Sequence, residues 1–168
     1  MSKMALIALA AMGLTGSAAA GSGSLTASDE EFLTKDTRGG AYELQSAKLA
    51  VQKASRSDVK SYAEKLVSDH QRYNLALEKL GKENGLALPT ELDSADKSRL
   101  SDLEKLSGKA FDALYVKEAL RINAEDKRDS EKEKATTKSE AIRSFIAKFA
   151  DMDAEHETLA RQLEKSSG

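Results

Sequence analysis

Cysteine and tryptophan are absent from this 168-residue chain, proline occurs once, and tyrosine and phenylalanine occur four times each. The lack of cysteine excludes disulfides, thiolate nucleophiles and cysteine-bound metals, so stability must come from packing alone. A lone proline, Pro89, and few aromatics leave Leu, Ala, Lys, Glu and Ser dominant, a composition that favours helices over sheets. An excess of positive charge is missing too: the formal net charge is −2 and the pI about 5.8. No stretch gathers Lys or Arg on one face among aromatics, and an acidic surface repels a phosphate backbone, which argues against nucleic acid as a partner. With 40% hydrophobic and 32% charged residues, the remaining reading is one globular, all-helical domain with a packed core.

Only the first twenty residues carry a long apolar run. Lys3 gives it a positive start, Met4–Leu14 the apolar stretch, and Ala18-Ala19-Ala20 the small side chains that a signal peptidase accepts. Residues 1–20 therefore read as an export signal, and the mature protein as periplasmic or secreted. As a helix the run would extend roughly 16 Å against about 30 Å for a bilayer core, which disfavours a stable membrane span. An uncleaved anchor reaching Ala20 is the competing reading. Leu14-Thr15-Gly16 looks like the start of a lipoprotein signal, but Ser17 stands where the lipidated cysteine would be. Loss of residues 1–20 removes Lys3 and no acid, moving the formal net charge from −2 to about −3. Residues 21–28 read as a flexible linker that opens with Gly and Ser, and residues 29–165 as the bundle domain.

The helical text follows. Ser28 and Glu31 have the spacing of a capping box, so the first helix is expected from Asp29. Its apolar face, through Leu33, Leu44, Ala47, Val51 and Ala54, is interrupted at Gly39-Gly40, where a kink or a close helix contact is expected. Arg56-Ser57-Asp58 breaks the chain into a second helix ending at Asn84-Gly85, a pair suited to a left-handed cap. A crossover around Pro89 leads to a short connector helix from Ser94, ended by Gly108. The next helix starts near Lys109 with Phe111, Leu114, Tyr115, Ala119 and Ile122 on its apolar side, and Phe111-Asp112 reads as an anchor plus a helix-start acid. Beyond Ile122, Glu125–Glu140 holds six acids and five bases, with Glu125/Arg128, Asp129/Lys132 and Glu131/Lys134 spaced for ion pairs, and reads as a solvated helix end. Thr136-Thr137 turns the chain into a last helix from Ser139 to about Glu164.

The two histidines, the only ones in the chain, both fall on apolar stripes. Val59, Ala63, Leu66, His70, Tyr73, Leu77 and Leu80 alternate steps of four and three, and Ile142, Phe145, Phe149, Met152, His156, Leu159 and Leu163 repeat the rhythm. Each imidazole should therefore face a core. Ser68-Asp69-His70 does not make a catalytic triad, because consecutive helical residues point about 100° apart. No catalytic constellation emerges, and the chain reads as a non-catalytic binding or stress-associated structural protein. Its protein partners and oligomeric state are not legible.

Gly39-Gly40-Ala41-Tyr42-Glu43, Asp58-Val59-Lys60, Asp69-His70, Leu88-Pro89, the run Gly108 to Tyr115, and His156 together resemble the bacterial domain of unknown function 4142 over about residues 29–163. The resemblance implies an exported, ferritin-like, up-and-down four-helix bundle with a short connector helix and no assigned activity. Family positions that carry over are Glu43, Asp69, His70 and His156. Where similar proteins carry a second Asp-His pair, this chain has Ile122-Asn123.

Three readings of these residues compete. In the first, His70 and His156 are core histidines hydrogen-bonded to Glu43, Tyr73, Asn74 or Asn123. In the second, a divalent ion such as zinc is the cofactor, with His70, His156 and Glu43 as ligands and Asp69 as an outer acceptor. In the third, protonation of a buried imidazole makes the core sensitive to acid. The Glu-x-x-His pairs of di-iron centres are absent, because Val67 and Asp153 stand three residues before the histidines.

Overall fold

Helices begin in this protein where a side chain can take up the free amides of a first turn. The computed structural model describes residues 25–166, which form α1 (Ala27–Lys53), α2 (Ser57–Glu83), α3 (Ser94–Glu104), α4 (Gly108–Thr136) and α5 (Glu140–Lys165). The expected export signal and the first half of the expected linker lie outside the described residues. The other half of that linker is ordered structure, because the cap of α1 is Thr26 and not Ser28. The Asp29 amide donates to Thr26 Oγ1 at 3.2 Å and the Thr26 amide donates to Asp29 Oδ2 at 2.7 Å, a complete capping box two residues upstream of the expected one. Ser28 sits inside the helix, and its hydroxyl donates to Glu133 at 3.4 Å.

α2 ends at Asn84-Gly85 as expected, with Gly85 at φ +70°. Gly108 departs from expectation: α3 stops at Glu104, and Gly108, at φ +59°, opens α4 instead of closing α3. α1 runs unbroken through Gly39-Gly40. Gly40 marks the close helix contact, since a Cβ there would collide with Asn74 Oδ1 while Asn74 Nδ2 donates to the Gly40 carbonyl at 3.0 Å.

α1 pairs with α2 and α4 with α5, each pair as a hairpin, while α1 also lies on α4 and α2 on α5. The connection through α3 crosses the bundle so that α4 runs opposite to α1. Ser55, just after α1, meets Asp112 near the start of α4, and Asp29, at the start of α1, meets Thr137 just after α4. Asp112 is therefore more than a helix-start acid. It is buried and accepts the backbone amides of Ser55 and Arg56, each at 3.0 Å, which pins the α1–α2 turn. Among the described residues no helix is long and apolar enough to cross a membrane.

Two larger apolar regions fill the bundle, beside a small one of Tyr42, Leu92 and Ile122. At one end Ala47, Ala50, Val59, Ala63, Leu66, Phe111, Tyr115, Ala160 and Leu163 interlock. Near the other end Leu33, Tyr73, Leu77, Leu80, Ile142, Phe145 and Ile146 do so, with Tyr73 and Phe145 rings 5.2 Å apart. Between them the helix seams turn polar.

Candidate functional site

The helical rhythm itself delivers the polar residues to the interior. On α1 the seam reads Leu33, Asp36, Gly40, Glu43, Ala47, Ala50, with acids at two of its steps. On α4 it reads Tyr115, Ala119, Asn123, Asp126, Ser130, Glu133, so the stripe continues in polar residues where the apolar ones stop. On α5 it reads Phe149, Asp153, His156, Ala160. The polar members Asp36, Glu43, Asn123, Asp126, Ser130, Asp153 and His156, with His70 and Tyr73 from α2, wall a cavity of about 10 Å³, close to the space one water molecule requires.

Of the residues expected from the sequence, His70, His156 and Glu43 share this chamber. Both imidazoles are buried and their ring centres are 5.5 Å apart. His70 Nε2 stands 3.4 Å from Glu43 Oε1, near enough for charge attraction, yet neither ring nitrogen of His70 has a hydrogen-bond partner. Of the partners expected from the sequence, His70 thus keeps only the Glu43 contact, and its Nδ1 has none. Asn74 is engaged with Gly40, Asn123 Nδ2 with the Ala119 carbonyl at 2.8 Å and the Tyr62 hydroxyl at 3.4 Å, and the Tyr73 hydroxyl donates to Asp36 at 2.6 Å.

Asp69 lies outside the chamber wall. One of its oxygens accepts from His156 Nε2 at 2.9 Å and from Lys65 Nζ at 3.1 Å, the other from Arg72 Nη2 at 2.5 Å. Burial lowers the His156 pKa despite this carboxylate, which favours the neutral ring. With Nε2 as the donor to Asp69, its lone pair resides on Nδ1.

The electrostatics of the two groups are opposite. Burial alone would raise Asp69, but His156, Lys65 and Arg72 outweigh it and hold the carboxyl down at about 2. In the chamber, burial pushes Asp36 up to about 7 against the Tyr73 hydrogen bond, with Asp153 and Glu43 adding repulsion. Burial and Glu43 push Asp153 up to about 6, and burial followed by Glu43 and Asp36 drives Asp126 far above its ordinary value. His70 moves up as well, because Glu43, Asp153 and Asp36 together overcome the effect of its burial.

Asp36, Asp126 and Asp153 were missed by reasoning from the sequence. The α4 segment expected to be a solvated end also buries Glu133, and its expected ion pairs are replaced. Arg121 holds Glu125 at 2.8 Å, Asp129 pairs with Lys35 of α1, and Lys127 reaches Glu157 of α5 at 3.2 Å. The available signal was the 3–4 spacing of Asn123, Asp126, Ser130 and Glu133, which extends the apolar stripe in register. Among the described residues no three His, Asp or Glu side chains already stand as a metal-binding group, so a cation would have to draw these donors together by rotation of their side chains.

No curated protein and no solved structure matches the chain. A family model does match, over residues 14–163, and the chain belongs to the family described as Domain of unknown function (DUF4142).

Proposed function

We propose that this protein is an exported, non-catalytic binding protein whose helical bundle takes up a divalent metal ion. The observation that carries the reading is His70: an imidazole 4% exposed, with Nδ1 unpartnered and Nε2 held only by the 3.4 Å contact with Glu43, facing a chamber lined with carboxyl groups. A buried polar group without a partner costs free energy, and a cation bound there would remove that cost. His70, Glu43 and His156 Nδ1 are the donors, and Asp69 orients the His156 ring from outside as carboxylates do for metal-bound histidines. A space of about 10 Å³ suits one ion or water and not an organic substrate. Export is supported by Lys3, the apolar Met4–Leu14 and the alanines at 18–20. The second reading, a structural polar core such as a stress-associated bundle would keep, draws on the well-satisfied Asp69–His156 corner.

Metal analysis of the purified full-length protein, with melting curves before and after EDTA, tests the proposal. Bound divalent metal and a lower Tm after chelation are expected, with the difference lost in His70→Leu. No bound metal together with an unchanged melt would leave the structural reading. Cell fractionation tests export, with the protein expected outside the cytoplasm.

A further inference from the structure

A groove of about 410 Å³ runs between α1, the start of α3 and α4, and it shares Asp36, Asp126 and Ser130 with the interior chamber. These three residues thus separate solvent from the interior, and Glu31, Glu125 and Asp129 continue the acidic lining outward. Most cations on the groove are already paired: Lys35 with Asp129, Arg99 with Asp96, and Arg121 with Glu118 and Glu125. Gly39 stands at the same place. A Cβ there would meet nothing closer than Asp126 Oδ1 at 3.9 Å, so packing does not require glycine, and the missing side chain leaves Asp126 open to the groove.

Inside, four carboxyl groups from three helices, Asp36, Glu43, Asp126 and Asp153, face one imidazole, His70, whose Nδ1 has no partner and whose Nε2 has only the Glu43 contact at 3.4 Å. Gathering acids in a partly buried space is unfavourable unless a proton or a cation lies among them. We propose that Asp36, Asp126 and Asp153 complete the metal site as an oxygen-rich pocket for a hard divalent cation such as Mn²⁺, taken up from the groove between α1 and α4. The inference rests on the metal-binding reading above and names the class of ion. Carboxylate oxygens suit Mn²⁺, Mg²⁺ and Ca²⁺, whereas a site held by imidazoles suits Zn²⁺, and in this chamber oxygen donors outnumber nitrogens.

The test is titration of EDTA-stripped full-length protein with MnCl₂ and, separately, with ZnCl₂, for the wild type and for Asp36→Asn and Asp126→Asn. The wild type is expected to bind Mn²⁺. Each variant should weaken Mn²⁺ binding by at least about tenfold and Zn²⁺ binding by less, because the imidazoles remain. Without metal, both variants should melt at or above the wild type, since an amide removes repulsion and keeps the shape. A wild type that binds neither ion overturns the metal-binding reading and this inference with it. A wild type that binds Mn²⁺ no more tightly than the variants overturns only the role of the aspartates. Metal-free variants that unfold or melt below the wild type identify the acids as structural partners and overturn the inference as well.

Discussion

Asp69 and Asp36 are carboxyl groups beside the same pair of histidines, yet one is held down at about 2 and the other lifted to about 7. Burial pushes both carboxyls up, more strongly at Asp36, and the neighbours reverse it only at Asp69. Asp69 has His156, Lys65 and Arg72 as donors, whereas Asp36 has one tyrosine hydroxyl and the charges of Asp153 and Glu43. The Asp69 corner is saturated with donors, and the chamber beside it is not.

The largest way to break this contrast is Asp69→Ala. Removing the acceptor leaves His156 and two cationic side chains without their anion, and a loss of about 3 kcal/mol in urea unfolding is expected, near the lower end for breaking a buried charge pair and discounted for the exposure of Arg72. A loss below about 1 kcal/mol would place the Asp69 corner on the same footing as a surface ion pair.

Next in size is a pair of neighbouring glycines. Gly40→Ala should cost about 1–2 kcal/mol, because the new methyl must displace Asn74 from its bond to the Gly40 carbonyl. Gly39→Ala should instead stabilise the metal-free protein by about 0.5–1 kcal/mol through helix propensity alone. Melting curves showing the same sign for both would contradict the close approach at Gly40 alone.

The smallest effect is expected from pH, because opposing groups offset one another. Asp36 and Asp153, lifted from 3.8 to about 7 and about 6, bind their protons more tightly folded than unfolded. Their contribution is therefore present in acid and lost as the pH rises through 6 to 7. His70, also raised, acts in the same direction. His156, lowered, acts in the opposite one, its contribution being present above its unfolded value of 6.5 and lost as the pH falls. Asp69 contributes above 3.8 and fails only as the pH drops toward 2. The Tm of EDTA-treated protein should thus fall modestly from pH 5.5 to 8, with the Asp69 contribution lost only between about pH 4 and 2. A Tm that rises over the first interval would show that the chamber acids ionise freely.

The helices and the inward direction of both histidines were legible because apolar side chains recur every three or four residues, and only one face of a helix can satisfy that spacing. His70, His156 and Glu43 could be nominated on that ground together with the family resemblance. Asp36, Asp126 and Asp153 could not. Aspartate on a helix usually faces water, so the three- and four-residue spacing that puts them on the seams of α1, α4 and α5 did not suffice to nominate them. The charged stretch of α4 was misread for the same reason, since Glu133 is buried by a contact with α1, 105 residues away from Ser28 in the chain.

By itself, the sequence determined that the chain is helical, lacks thiol chemistry and turns two imidazoles inward, because composition and periodicity act locally along each helix. Only the tertiary structure decided which charges meet. Asp69 takes Lys65 and Arg72 from its own helix and His156 from α5, whereas Asp36 meets Asp126 and Asp153 from two distant helices, and the energy of a buried charge depends on such neighbours more than on its own place in the sequence.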